Sequence, residues 1–238
     1  MITAQGLTVK VFADGADRAG LLALAANPLI KGFTTNPTLM HAAGLRDYEG
    51  FARDALEYIG GRPISFEVFC DDFEDMERQA LKIAAWGDNV YVKIPVTNCA
   101  GESSAPLVRR LAGLEVKLNV TAVMTHQQVA EMAECLAGGP PSVVSVFAGR
   151  IADTGRDPVP HMEQALALLA PYPNIELLWA SPREILNVVQ ADQIGCHIIT
   201  VTHDLLKKLP VLGYDLEQFS LDTVNMFFDD ARAAGFCV

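Results

Sequence analysis

The sequence predicts an α/β fold, a (β/α)8 TIM barrel with one extra C-terminal helix. Eight short apolar runs alternate with segments of helical periodicity, and strict alternation of this kind is typical of a parallel sheet. A chain of 238 residues has the usual length of one such barrel, and eight units favour a closed barrel over an open sheet. We therefore expect a single domain over residues 1–238, with the barrel at about 8–210 and a helical extension at about 215–235.

The eight predicted strands are apolar and often β-branched, as expected of strands buried on both faces of a sheet. They cover residues 9–13, 32–35, 64–69, 90–94, 116–120, 143–147, 176–180 and 197–201. Helical periodicity between them is clearest at residues 73–86 and 127–136. No Gly-x-Gly-x-x-Gly motif or P-loop follows the first strand, which argues against a dinucleotide or nucleoside triphosphate site.

The last predicted helix, at residues 215–234, carries an unusually apolar face. The side chains that fall roughly on this face are Leu216, Phe219, Val224, Phe227, Phe228 and Ala231. Two placements fit this pattern, because the helix either caps its own barrel or docks on a neighbouring subunit. We expect a homo-oligomer.

The charge of the chain excludes several classes of partner. Eighteen Lys and Arg against 29 Asp and Glu give a formal net charge of −11, whereas nucleic acids and anionic membranes attract clustered positive charge. A small anionic substrate remains compatible with a few local arginines. No apolar run reaches membrane-spanning length, and the N-terminus lacks the pattern of a signal peptide, so we expect a cytoplasmic protein.

Cysteine and histidine positions do not indicate a metal site. The five cysteines are scattered and form no Cys-x-x-Cys pair, so neither zinc nor a disulfide framework is expected. His161, His197 and His203 lie in separate segments without ligand spacing. We interpret these three as core or loop histidines with satisfied hydrogen bonds.

Lys93 is the main candidate for catalysis because it interrupts the apolar fourth strand. Removing an ammonium group from water favours the neutral amine, which is the form that attacks carbonyls to give a Schiff base. A strand-end lysine that reaches solvent is the more ordinary interpretation of one such residue.

Further polar residues follow the other strands at their C-terminal ends, where TIM barrels form their active sites. These residues are Asp14, Thr34, Asn36, Glu67, Asn119, Thr121, Ser145, Arg150, Ser181 and Arg183. Asp14 and Glu67 have the chemistry to shuttle protons, and asparagines can hold sugar hydroxyls. Arg150 and Arg183 supply planar donors that suit a phosphate or a similar oxyanion.

Six motifs occur in order along the chain: Ala13-Asp14-Gly15, Gly32-Phe33-Thr34-Thr35-Asn36-Pro37-Thr38, Val92-Lys93-Ile94-Pro95-Val96-Thr97, Leu118-Asn119-Val120-Thr121, Phe147-Ala148-Gly149-Arg150-Ile151 and Ala180-Ser181-Pro182-Arg183. They resemble the transaldolases and their relatives the fructose 6-phosphate aldolases, from residue 12 to about residue 209. The resemblance implies a TIM barrel, a Schiff-base lysine at Lys93, sugar-phosphate substrates, and no metal or organic cofactor. It also implies a place in carbohydrate metabolism such as the pentose phosphate pathway.

Two positions resemble transaldolases rather than aldolases. The aldolases of this family resemble one another in having glutamine on the third strand and tyrosine on the sixth, where this chain has Glu67 and Phe147. One departure is Pro182, because transaldolases usually carry an aromatic residue between the serine and the arginine. The bound anion is accordingly either a phosphate or a sulfonate.

The sequence thus predicts a transferase that moves a dihydroxyacetone unit from an anionic ketose to an aldose. The expected catalytic residues are Lys93, Asp14, Glu67 and Thr121, and the expected substrate-binding residues are Thr34, Asn36, Asn119, Ser145, Phe147, Arg150, Ser181 and Arg183. One alternative is an aldolase that works with free dihydroxyacetone. Another is a catalytically silent sugar-phosphate-binding barrel, which predicts damage to the lysine or the carboxylates, and both are intact.

Overall fold

The computed structural model describes residues 3–236 and contains eight strands in one sheet. The strands are β1 (Lys10–Asp14), β2 (Ile30–Thr34), β3 (Ile64–Glu67), β4 (Val90–Pro95), β5 (Leu118–Val123), β6 (Ser142–Val146), β7 (Ile175–Trp179) and β8 (Ile198–Thr202). Each strand pairs in parallel with the next one along the chain, and β1 also pairs with β8, which closes the barrel. The predicted TIM barrel is confirmed.

Eleven α-helices occur in the described part of the chain. They are α1 (Arg18–Ala25), α2 (Pro37–Ala42), α3 (Tyr48–Tyr58), α4 (Phe73–Ala84), α5 (Ala105–Gly113), α6 (His126–Leu136), α7 (Ala148–Asp153), α8 (Pro158–Leu169), α9 (Leu186–Gln193), α10 (His203–Leu206) and α11 (Leu216–Ala233). Many begin at an Asp, Asn or Thr whose side chain accepts a hydrogen bond from a free backbone N–H of the first turn, as Asp72 does for α4.

The fifth strand differs most from its predicted position, at Leu118–Val123 instead of residues 116–120. A bulge explains the difference, because the pairing with β6 shifts between Val120 and Val123 and Ala122 adopts a left-handed φ of 61°. The strand therefore runs three residues further than an unbroken pattern suggests. Lys117, expected within the strand, precedes it, and its Nζ donates to the Asp88 carbonyl 2.5 Å away.

Two apolar clusters pack against the strands, one outside the barrel and one inside it. The larger cluster packs the outward side chains of the strands, such as Trp179 and Phe66, against the helices. A smaller cluster contains Phe12, Leu178 and Ile198. Phe12 lies two residues before Asp14, and Ile198 lies two residues before Thr200. Residues two apart on a strand point to the same face, so this cluster occupies the barrel interior below those polar groups.

Strand register sets which polar groups share a level inside the barrel. Lys93 is aligned with Glu67 on β3 and with Asn119 on β5. Asp14 is aligned with Thr34 on β2. Because aligned residues of neighbouring parallel strands point to the same side of a sheet, these five side chains converge from separate segments of the chain.

The C-terminal helix α11 buries none of its residues. It leaves seven large apolar side chains exposed by between 46% and 78%, namely Leu216, Phe219, Leu221, Val224, Met226, Phe227 and Phe228. A helix that capped its own barrel would bury this face, so that placement is not the one observed. Within residues 3–236, no helix is both long and apolar enough to cross a membrane.

Candidate active site

All twelve predicted site residues line one cavity of about 570 Å³, which opens at the C-terminal ends of the strands. Asp14, Glu67, Lys93, Asn119, Thr121 and Ser145 come from strands or strand ends, whereas Arg150 lies on α7. Asn36 is the residue that precedes α2. The side chains come from seven separate stretches of sequence, and only the closed barrel unites them.

Lys93 lies deep in this cavity and is only 6% exposed. Its Nζ donates to the Thr35 carbonyl at 2.8 Å and is 3.2 Å from Glu67 Oε2. The carboxylate of Glu67 opposes the effect of desolvation on the lysine, because a nearby negative charge favours the charged amine. Lys93 does not snorkel to solvent, and its amine is held at the centre of the polar cavity.

Asp14 faces the same cavity from β1. Its Oδ1 accepts from Thr34 Oγ1 at 2.7 Å, and its Oδ2 accepts from Asn36 Nδ2 at 3.4 Å. Burial raises the pKa of Asp14, and the positive charge of Lys93 and the Thr34 hydrogen bond act against that rise. The Thr34 hydroxyl is in turn 2.5 Å from the hydroxyl of Thr200. A buried carboxyl with these neighbours has the surroundings of an acid–base group.

Glu67 and Thr121 lie on the two strands that flank the strand of Lys93. The backbone carbonyl of Glu67 accepts from the Tyr48 hydroxyl at 3.1 Å, which anchors the end of β3 from outside the barrel. Burial raises the pKa of Tyr48, so this phenol stays protonated and continues to donate. The Thr121 hydroxyl is buried without a hydrogen-bond partner in the structure, and it lines the cavity. It is a polar group free to bind a ligand or water there.

The two asparagines already have partners within the protein. Asn36 Oδ1 accepts from the backbone N–H of Leu39, so this residue caps α2. Asn119 accepts from Ser145 Oγ at 2.7 Å and donates to Ser65 Oγ at 2.9 Å. Their side chains are thereby held in fixed orientations at the cavity wall.

The two arginines lie at the outer part of the cavity in different environments. Arg183 binds the Asp153 carboxylate through Nε at 2.8 Å and through Nη2, and this contact holds the pKa of Asp153 below its usual range. The guanidinium of Arg150 lies 5.6 Å from the centre of the Phe147 ring. Arg183 therefore has its charge partly compensated by a carboxylate within the protein.

Backbone geometry between the arginines requires particular residues. Ser181 has a left-handed φ of 62°. Its carbonyl oxygen would lie 1.6 Å from a Cβ placed on Gly149, so only glycine fits at the start of α7. This close contact brings the Arg150 helix against the loop of Arg183. Pro182 lies in that loop, and Arg183 lines the cavity.

Three contributors to the site were missed by the sequence analysis. Thr200 lines the cavity, but a threonine within a β-branched strand looks like an ordinary strand residue. Ser65 supports Asn119 from another strand. Asp153 orients Arg183 although the two are 30 residues apart in the sequence. The one sequence signal for this role is that Asp153 lies one helical turn after Arg150, on the same side of the helix.

The predicted histidine environments are only partly correct. His197 Nδ1 accepts from the Leu177 N–H at 3.0 Å, and His203 Nδ1 is 3.2 Å from Asp17 Oδ2. His161 contradicts the expectation, because its ring stacks on His126 and its Nε2 is buried without a hydrogen bond. The Nε2 atom is buried where the surrounding structure offers it no hydrogen-bond partner.

Within residues 3–236, potential metal ligands and cysteine thiols do not cluster. No group of three or more His, Cys, Asp or Glu side chains is placed there to hold a metal ion. Cys70, Cys99, Cys135 and Cys196 are free thiols, and Cys237 lies outside the described residues.

Comparison with known proteins identifies the family of this chain. The model of the transaldolase/fructose-6-phosphate aldolase family matches residues 11–236. A probable transaldolase from Thermoanaerobacter sp. (strain X514) is 32% identical over 218 residues, which cover 90% of this chain and 96% of that protein. A probable transaldolase from Methanococcus maripaludis (strain C7 / ATCC BAA-1331) is 30% identical over 218 residues, covering 90% and 97%.

A solved structure supports the fold alone. The crystal structure of 2,3-dimethylmalate lyase, a PEP mutase/isocitrate lyase superfamily member, aligns with a TM-score of 0.53 and 15% identity over 99% of this chain and 90% of that one. The family match and the two relatives show the family of the chain as well as its fold. The chain belongs to the transaldolase/fructose-6-phosphate aldolase family of enzymes.

Proposed function

We propose that this enzyme transfers a dihydroxyacetone unit from a ketose phosphate, or a similar anionic ketose, to an aldose through a Schiff base on Lys93. The observation that carries the proposal is the buried amine of Lys93, with Glu67 Oε2 at 3.2 Å and Asp14 in the same cavity. A lysine nucleophile needs a group to take its protons and an enclosed site that limits the access of bulk water. We assign the first task to Glu67.

In the proposed reaction, the Lys93 amine attacks the ketose C2 carbonyl and water leaves, which forms an iminium ion. Asp14 then takes the proton of the C4 hydroxyl while the C3–C4 bond breaks, and the bonding electrons move into the iminium to give an enamine. The aldose product departs. An acceptor aldehyde is attacked by the enamine carbon, Asp14 returns the proton to the new alkoxide, and hydrolysis of the iminium frees both product and lysine.

Water leaves when the iminium forms and returns when the iminium is hydrolysed, and we propose that Glu67 and Thr121 hold this water molecule. The Thr121 hydroxyl is buried and unpartnered on the cavity wall, which suits a water molecule shared with Glu67. Thr34, Asn36, Asn119 and Ser145 would bind the hydroxyls of the sugar. Ser181 and the two arginines at the outer end of the cavity would bind its phosphate or sulfonate.

Transfer rather than release of free dihydroxyacetone is favoured by the side chain at position 147. The enamine must persist until an acceptor binds. A proton donor near its carbon would protonate it and lead to release of the free ketone. Phe147 lines the cavity with a ring that has no proton to give. A cytoplasmic role in the pentose phosphate pathway stays a prediction.

We further propose that the enzyme is a homo-oligomer in which α11 packs on a neighbouring copy. Seven large apolar side chains exposed on one helix exceed what a monomeric protein normally presents to water. A second copy of the chain is the partner that is always available at matching concentration. Burial of this face would stabilise the assembly by the hydrophobic effect.

Borohydride trapping is expected to label Lys93. Reduction in the presence of a ketose phosphate converts the iminium into a stable amine, so peptide mass spectrometry should find the added mass on the Lys93 peptide. Lys93→Met should abolish the label. Lys117 is the internal control, because its amine contacts the Asp88 carbonyl outside the cavity. A label on Lys117 would contradict the proposal.

Arg183→Ala is expected to raise KM for phosphorylated sugars far more than for their unphosphorylated counterparts. A charge-assisted contact of this kind is worth roughly 1.5–3 kcal/mol, which corresponds to about a ten- to hundredfold change. Arg156→Ala is the matched control, since Arg156 is exposed and does not line the cavity. Equal effects on both classes of sugar would argue against an anion site.

The wild type is expected to move the three-carbon unit between aldoses and to release little free dihydroxyacetone. Glu67→Gln combined with Phe147→Tyr should shift the products toward the free ketone, because a hydroxyl then lies near the enamine. Glu67→Gln alone should depress transfer by about a hundred- to ten-thousandfold, the usual contribution of an acid–base group. A donor–acceptor panel read by mass spectrometry measures both. Rapid release by the wild type without acceptor would favour an aldolase instead.

Light scattering after gel filtration is expected to give the wild type a mass that is a multiple of the chain mass. Phe227→Glu should lower that mass, because a charge would enter the buried interface. Asn225→Glu introduces the same charge at an exposed polar position of α11 and is the control. A wild type that runs as a monomer would refute the oligomer.

A further inference from the structure

A side cleft of about 370 Å³ lies beside the main cavity, between the end of β1 and the start of α10. Asp14 lines both the cleft and the main cavity. Charged groups in both the cleft and the main cavity can therefore act on the Asp14 carboxyl. Lys93 acts on it from the main cavity, and His203 lies in the side cleft.

The imidazole of His203 fits tightly in this cleft. A Cβ on Gly15 would lie 2.5 Å from its Nε2, and a Cβ on Gly20 would lie 2.4 Å from its Cε1. Neither position accommodates a larger residue without moving the ring. The Nδ1 atom is 3.2 Å from Asp17 Oδ2, and the Oδ1 atom of Asp17 accepts from the Gly20 N–H at 2.6 Å. The helix cap of α1 thus fixes the carboxylate that orients the imidazole.

Negative groups dominate the surroundings of His203. Asp17 contacts it directly, Asp14 lies at the end of β1, and Asp204 is the next residue on α10, where it pairs with Lys207 at 2.8 Å. Helix α2 contributes only apolar side chains to the cleft. The N-terminal end of α1 carries the positive end of the helix dipole, which disfavours a positive charge on His203. The Asp17 carboxylate offsets this effect. Histidine is the side chain whose charge changes most readily near neutral pH.

A second cation beside Asp14 matters because the charge on Lys93 is not constant in the proposed reaction. The lysine is a neutral amine before attack, carries a positive iminium charge, and is neutral again in the enamine. Burial raises the pKa of Asp14, and the positive charges of Lys93 and His203 both act to lower it. Whenever the lysine is neutral, protonated His203 is the cation that still opposes the burial of the carboxylate.

We infer that His203, held by Asp17, is a positioning residue that acts on the Asp14 carboxylate from the side cleft and thereby sets the acidic limit of the reaction. This inference rests on the proposed function, in which Asp14 must be ionised to accept the C4 hydroxyl proton. His203 itself touches neither the sugar nor the reacting bond. It acts through the electrostatic potential at Asp14.

The first test measures kcat from pH 5 to pH 8.5. For His203→Gln, the ratio of kcat at pH 8 to kcat at pH 6 should exceed the wild-type ratio by about three- to tenfold, because the acidic limb moves to higher pH by up to about one unit. Asp17→Asn should move the limb in the same direction, since the imidazolium loses its carboxylate. His41→Gln, which changes an exposed histidine on α2, should keep the wild-type ratio. A His203→Gln profile parallel to that of the wild type would overturn the inference.

The second test does not depend on activity. Carbon-13 NMR of aspartate carboxyls, with Asp14 assigned from Asp14→Asn, follows the titration of Asp14 in the ligand-free enzyme. In His203→Gln and in Asp17→Asn, the Asp14 signal should titrate at higher pH than in the wild type. An unchanged titration would refute the role of His203 even if transfer activity is found. A shifted titration in a protein without transfer activity would instead refute the proposed function alone.

Discussion

A buried amine is the constraint on which the rest of this structure depends. Lys93 must leave water to lie inside the barrel, and an isolated ammonium there would cost several kcal/mol. The cost is offset by Glu67, by the Thr35 carbonyl and by the neighbouring Asp14. Each of these groups comes from a different strand or loop, so the closed barrel with its fixed register is what makes the buried lysine tolerable.

The carboxyl groups near Lys93 are themselves held in place by neighbouring polar side chains. Thr34, Thr200 and Asn36 hold the Asp14 side, whereas Tyr48 anchors the strand of Glu67 from outside. Buried polar groups need such partners, because an unsatisfied one costs the full desolvation penalty. Thr121 is the exception within the cavity, and its free hydroxyl marks the place where the protein leaves room for a ligand or water.

Charge is distributed unevenly across a chain whose formal net charge is −11. The outer cavity gathers Arg150 and Arg183, and Asp153 compensates part of that charge. A partly compensated pair can orient a guanidinium without creating a strong general attraction for anions. His203 and Asp17 provide a comparable paired group on the other side of the site. In both places a surface carboxylate orients a cationic or cationisable side chain.

The sequence by itself determined the barrel, the order of its strands and the twelve residues that meet at its mouth. It could do so because strand periodicity and strand-end position are local properties, and the C-terminal ends of parallel strands necessarily share one edge. Tertiary structure alone decided the partners: Ser65 behind Asn119, Asp153 beside Arg183, and His203 seated between Gly15 and Gly20. Bulge formation at Ala122, the exposure of α11 and the unpaired nitrogen of His161 belong to the same class. These features depend on which contacts distant segments make or fail to make, and periodicity along the chain does not encode that.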